Sequence, residues 1–154
     1  MNIQKNNGEI ALQGENATAY FHIDTNMVKI DELEVNYPGE YEKGGILLEV
    51  KEYEKKLFYS FSIDGKNTVI ITNDTFEQKE EILDFFGDID VLLIVGTKNA
   101  AKVFENIEAR IVIPYGEGRD VFLNTLGQDS IEEVKIYKVK NELPVDDSIF
   151  VKLV

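Results

Sequence analysis

The stretch Ile89-Asp90-Val91-Leu92-Leu93-Ile94-Val95-Gly96 decides the fold. Seven residues of nearly unbroken apolar character end in a glycine. A run this short, flanked on both sides by helical patterns, reads as a strand buried on both faces in the middle of a sheet. Just upstream, residues 75–86 place Ile82, Leu83, Phe85 and Phe86 on one side and stop at Gly87, which predicts a helix. Asp74, or Thr75, stands where an N-cap would stand, and Glu77 follows Asp74 by three residues as in a capping box. Just downstream, Thr97 is placed to cap a helix over 98–106, whose Ala100, Ala101, Val103, Phe104 and Ile107 form an apolar stripe.

Further along, 110–113 reads as a strand ended by Pro114, and Tyr115-Gly116-Glu117-Gly118 as a loop. A third helix is expected over 119–126, closed by Gly127, followed by strands over 134–139 and 149–154. The first half of the chain has a period of two instead. Strands are expected at 8–12, 17–23, 28–30, 33–36, 46–50, 57–63 and 67–72, with turn chemistry at Gly14-Glu15-Asn16, Asp24-Thr25-Asn26, Pro38-Gly39 and Asp64-Gly65. The order is mostly β, then helix–strand units, then β. Two layers of sheet with helices outside would bury both the meander and the central strand. No repeat or linker divides the chain, so residues 1–154 are expected to form a single domain.

The 154 residues, 44% of them apolar, suffice for a sizeable core. There is no cysteine, which excludes disulfides, thiolate metal sites and a thiol nucleophile. With 29 acidic residues against 16 basic ones, the formal charge is -13. A field of that sign repels phosphate backbones and anionic lipid, so neither nucleic acid nor membrane is an expected partner. No signal-peptide pattern or 18-residue apolar run occurs, and a cytoplasmic protein is the default expectation.

Catalytic patterns are sparse. No glycine-rich phosphate loop, EF-hand or nucleophile elbow is present. His22 is the one histidine. It falls on the Thr18, Tyr20, His22 face of its strand, opposite Ala17, Ala19, Phe21 and Ile23. Asp24 would share its face if the strand continued. A zinc site needs about three protein ligands, so that pair is a weak start. Carboxylates such as Glu40 and Glu42 are plentiful because the protein is acidic.

Four junctions nevertheless carry a family resemblance. They are Tyr37-Pro38-Gly39-Glu40-Tyr41-Glu42-Lys43-Gly44-Gly45-Ile46, the strand 67–72 with Asn73-Asp74-Thr75, the strand Asp88 to Ile94, and Arg110-Ile111-Val112-Ile113-Pro114. In that order and spacing they resemble the metallo-β-lactamase superfamily, in particular small zinc-dependent hydrolases related to ascorbate-6-phosphate lactonase. The resemblance spans about residues 33–154. It implies an α/β fold, a shortened αβ/βα sandwich with mixed sheets and about three helices, with metals held at one edge between the sheets.

Residue by residue, the metal site does not carry over. The family's His-x-His-x-Asp-His run has no counterpart. Asp74 matches the family's bridging Asp, but Asn73 replaces its Gly. Where a residue and then the last metal histidine follow the proline, this chain has Tyr115 and Gly116. One histidine and one retained aspartate cannot rebuild a di-zinc centre. The expectation is a metal-free, non-catalytic relative with no cofactor, acting in structure or interaction. Asp74, His22, Asn73, Tyr115 and Gly116 mark what is left of the site. The shortened N-terminal part suggests a homodimer covering an exposed face. The competing expectations are a hydrolase, or a small-ligand module, using a residual cleft. Tyr37, Glu40, Tyr41 and Tyr115 are candidates to line it.

Overall fold

The computed structural model describes residues 1–154. The first five strands are β1 (Asn2–Asn6), β2 (Glu9–Gln13), β3 (Thr18–His22), β4 (Val28–Ile30) and β5 (Leu33–Val35). Then come β6 (Gly39–Lys43), β7 (Ile46–Tyr53), β8 (Lys56–Ile63) and β9 (Lys66–Ile71). The α/β portion runs α1 (Glu80–Phe86), β10 (Ile89–Val95), α2 (Lys98–Phe104), β11 (Ala109–Tyr115) and α3 (Arg119–Thr125). Four short strands finish the chain: β12 (Glu133–Val134), β13 (Ile136–Lys138), β14 (Ile149–Phe150) and β15 (Lys152–Leu153).

Two sheets result. One is six-stranded, in the order β13-β1-β2-β3-β4-β5, and antiparallel throughout. The other is seven-stranded and mixed, in the order β14-β11-β10-β9-β8-β7-β6, with β9, β10, β11 and β14 parallel. β10 lies inside the second sheet, as its composition demands. Val91 and Leu93 point into the core between the sheets, and Leu92 and Ile94 point into a second core under the helices; all four are fully buried. Each such side chain contributes roughly 1.5–3 kcal/mol by leaving water. Ile82 and Phe86 of α1, Ala100, Ala101, Val103 and Phe104 of α2, and Phe122 and Leu123 of α3 all belong to that second core. All three helices therefore cover the same sheet, which completes an αβ/βα-type sandwich on one side only.

The other side has no helical layer. Strand register sets Ile136, Gln4, Ala11, Tyr20, Lys29 and Glu34 in one row across the outer face of the six-stranded sheet. The Lys29 ammonium sits 4.9 Å from the centre of the Tyr20 ring. A row this polar is compatible with water, as antiparallel sheets allow. This outer face is thus solvated through its side chains.

Several boundaries differ from expectation, each for a local reason. β1 is largely polar, so it carries no apolar run; it is held by β2 through the turn Asn7-Gly8, where φ is +48° and +82°. That is the backbone a type I′ hairpin requires. Glu54-Lys55 makes the same kind of turn without glycine, with φ of +52° and +64°. The Gly39–Lys43 segment is an edge strand, and the connection to β7 is the turn Gly44-Gly45. Pro114 does not end its strand. β14 pairs with Ile111 and Val112 only, so Pro114 lies beyond that pairing, where a missing N–H breaks no ladder. The expected strands 134–139 and 149–154 each split between two sheets.

The first helix begins five residues later than its periodicity suggests, and Lys79 at its N-cap makes no side-chain bond. Tertiary contacts hold 75–79 out of the helix. The Tyr53 hydroxyl donates to the Glu77 carbonyl at 2.7 Å, and the Glu77 N–H donates to the Glu54 carboxylate at 2.9 Å. Phe76 packs edge-on against Phe58, 5.0 Å between ring centres.

Candidate functional site

The edge to examine is where β9, β10 and β11 end, because parallel strands aim their C-terminal loops at one place. Those loops begin at Thr72, Gly96 and Gly116. The last two loops meet backbone to backbone. A Cβ on Gly96 would stand 2.5 Å from the Arg119 amide nitrogen, closer than any real contact. The Gly96 N–H donates to the Tyr115 carbonyl at 2.7 Å and ties the two strand ends together. Gly116 has φ of +92° and turns the chain toward α3, its carbonyl accepting from the Arg119 N–H at 3.2 Å.

Asp74 is engaged there. Its carboxylate accepts a hydrogen bond from the Thr97 hydroxyl at 2.7 Å, and its carbonyl accepts one from the Asn99 amide at 2.6 Å. The Thr97 oxygen in turn accepts from the Ala100 N–H at 2.9 Å. Thr97 therefore caps α2 as its sequence position suggested. Asp74 fixes that cap from outside and is not the cap of α1. Asn73 points its carbonyl oxygen at the Thr75 N–H, 3.2 Å away, while its buried Nδ2 has no partner. It lines a cleft of about 380 Å³ with Asn26, Lys56, Tyr59 and Thr72. The Tyr59 hydroxyl donates across this cleft to the Asn26 carbonyl at 3.2 Å.

Tyr115 is 5% exposed and lies in the core between the sheets. Its ring meets Phe21 edge-on at 5.2 Å. Burial, and secondarily Tyr59, push its phenol well above the ordinary tyrosine range, so it stays protonated. His22 lies elsewhere. Phe21 beside it faces the inter-sheet core, so His22 points to the outer face of the six-stranded sheet, opposite Glu9. β3 ends at His22 and the chain turns, so Asp24 never shares its face. Asp74 is bonded to Thr97 and Asn99 at the end of the other sheet, and no contact joins it to His22.

The remaining candidates also separate. Tyr37 is 74% exposed, and its carbonyl accepts from the Tyr41 hydroxyl at 2.5 Å. The Tyr41 side chain packs against the inter-sheet core. Glu40 lies directly opposite Glu49 across β6 and β7, in a shallow groove on the outside of the sheet. No common cleft gathers Tyr37, Tyr41 and Tyr115.

The donor set does not suit zinc. No group of three or more His, Cys, Asp or Glu side chains is placed to share a metal ion. At the strand-end edge the donors are an amide, a carboxylate already bonded to Thr97, and a buried phenol held protonated. Zinc takes imidazole, thiolate or free carboxylate ligands, deprotonated, about three at a time.

Two features carried no motif in the sequence. One is the Gly96–Gly118 contact, which follows only from the neighbouring loops of parallel strands. The other is a basin at the opposite end of the helical layer. It has a volume of about 720 Å³, and its wall includes Phe86, Phe104, Leu126 and Asp146. Its sole trace in the sequence is the acidity of residues 105–108 and 146–147.

Comparison with known proteins bears on the fold. No protein-family model and no curated protein sequence matches the chain. Among solved structures, it is similar over its full length to a Thermotoga maritima protein, described as a candidate zinc-dependent hydrolase of the metallo-β-lactamase superfamily. The TM-score is 0.71 and the identity 22%, with 100% of each chain covered. At that identity the likeness establishes a shared fold, a mixed α/β sandwich.

Proposed function

We propose that this chain is a degenerate, metal-free relative of the metallo-β-lactamase superfamily that acts through structure or interaction instead of hydrolysis. The observation that supports it is the state of the strand-end edge. Asp74 is bonded to Thr97, Tyr115 is buried against Phe21, Gly116 carries no side chain, and His22 faces the other way. The family resemblance at four junctions and the full-length fold match support the first half of this reading, and the side chains at the strand ends support the second.

The experiment is metal analysis of protein grown with added zinc and then dialysed, paired with hydrolysis assays on lactone and phosphodiester substrates. The reading expects no stoichiometric metal and no turnover above a denatured control. Stoichiometric zinc with turnover would overturn it. A second reading rests on Asn73, whose buried Nδ2 has no partner beside a cleft of about 380 Å³. A small polar acceptor ligand would satisfy that amide, since an orphaned buried donor costs about 1–3 kcal/mol. Loss of ligand-induced chemical shifts in an Asn73→Ala variant is the test.

A further inference from the structure

The basin opposite the strand-end edge has its own chemistry. The C-terminal ends of all three helices open onto it, through Phe86 and Gly87 of α1, Phe104 to Ile107 of α2, and Leu126 of α3. Helix C-termini carry a partial negative charge, and here the Asn67 amide already donates to the Phe86 carbonyl at 2.9 Å. Proteins commonly set Lys, Arg or His in the last turn there; α2 has Lys102, but α1 and α3 have no basic residue in that turn. Asp88, Glu105, Glu108, Asp146 and Asp147 add five carboxylates around the rim, none of them in an ion pair. The one basic residue of the wall is Arg110, and it is committed to Asp90 at 2.9 Å.

The basin is also partly apolar. Val145, 86% exposed, and Leu83, 37% exposed, stand at the mouth. Ile107 and Phe104 lie deeper, nearly buried. Its volume of about 720 Å³ is enough to seat several side chains. Water solvates the carboxylates, but a ligand that is both cationic and apolar also meets the negative field and the exposed apolar side chains of the rim. The geometry points to a docking site for a cationic, amphipathic peptide segment of a partner protein. Lys or Arg side chains would meet the carboxylates and helix C-termini, and one or two apolar side chains would rest on Val145 and Leu83. Charge complementarity selects the sign of the partner, and the apolar rim selects a peptide over a simple polycation.

This names a partner class for the interaction role proposed above. It lies at the other end of the fold from the strand-end edge, so zinc binding and peptide binding fail or succeed separately. The probe is a short amidated peptide of Lys and Leu with Leu at helical i, i+3, i+4 spacing, titrated into the full chain at low salt and followed by fluorescence anisotropy. The expected result is saturable binding, weakened about tenfold in a Glu108→Gln/Asp146→Asn/Asp147→Asn variant and also in Val145→Asp. A charge-matched Glu9→Gln/Glu15→Gln/Glu34→Gln variant on the far sheet should bind as the unmodified chain does. Circular dichroism confirms that each variant is folded. Equal weakening by both triple variants, equally tight binding of an all-Lys peptide or spermidine, or no binding at all would each overturn the assignment.

Discussion

Gly118→Ala is the most informative single perturbation of the strand-end edge. Gly118 has φ of -89°, an ordinary backbone that alanine adopts freely, so the substitution acts by contact alone. The new Cβ would fall well inside contact distance of the Gly96 carbonyl oxygen and 2.9 Å from its carbonyl carbon. Both neighbours are backbone, and neither can rotate away. The loops must part, which strains the Gly96 N–H bond to the Tyr115 carbonyl, now 2.7 Å. Overpacking of this kind costs about 1–3 kcal/mol and a weakened buried hydrogen bond about 1 kcal/mol more, so the expected loss is about 2–4 kcal/mol. In a chain of this size that lowers Tm by roughly 10 °C. Urea denaturation should show a lower midpoint with an unchanged slope. Gly116→Ala is the control. It meets nothing within 4 Å but has φ of +92°, so its cost, about 1–2 kcal/mol, is conformational. A Gly118→Ala variant as stable as the unmodified chain would refute the close contact between the two loops.

Other expectations follow from the same contacts. Thr97→Ala removes the acceptor for Ala100 N–H and the donor to Asp74, and should cost about 1–2 kcal/mol by thermal denaturation; Thr97→Ser should recover most of it. Burial raises the phenols of Tyr59, Tyr115 and Tyr137 above their unfolded value near pH 10. Their contribution to stability is therefore complete below about pH 10 and is lost as pH rises toward the folded values. The last part of the tyrosinate absorbance should rise together with loss of the folded circular dichroism signal. Ionisation of all seven tyrosines with an intact fold would contradict that.

The sandwich was readable where local chemistry and tertiary packing agree. Ile89–Val95 is too apolar to be anything but central, Thr97 caps the helix it precedes, and Asp64-Gly65 turns the hairpin it announces. It was unreadable where tertiary contacts override local pattern. Residues 75–79 have helical periodicity, but Tyr53, Glu54 and Phe58 claim their backbone and Phe76 first. Pro114 is a strand breaker by rule, yet it falls where the neighbouring strand has already stopped. β1 carries alternating polar residues that become a strand only because β2 and β13 flank it. At the site, the scarcity of histidine was legible because composition needs no geometry. The fate of Asp74 was not, since its Thr97 partner lies 23 residues away and is reached only through the fold. The acid-rimmed basin was hidden for the same reason, its carboxylates being spread over two helix ends and a late loop.

The central claim is that the strand-end edge has no set of side chains able to hold zinc. Zinc titration of the isotopically labelled protein at neutral pH, followed by amide NMR, tests it most directly. The account expects the signals of Asn73, Asp74, Gly96 and Gly116 to stay in place through a stoichiometric excess of zinc, with any shifts confined to exposed carboxylates and weakening with salt. Saturable shifts of those four amides at one zinc per chain would contradict it.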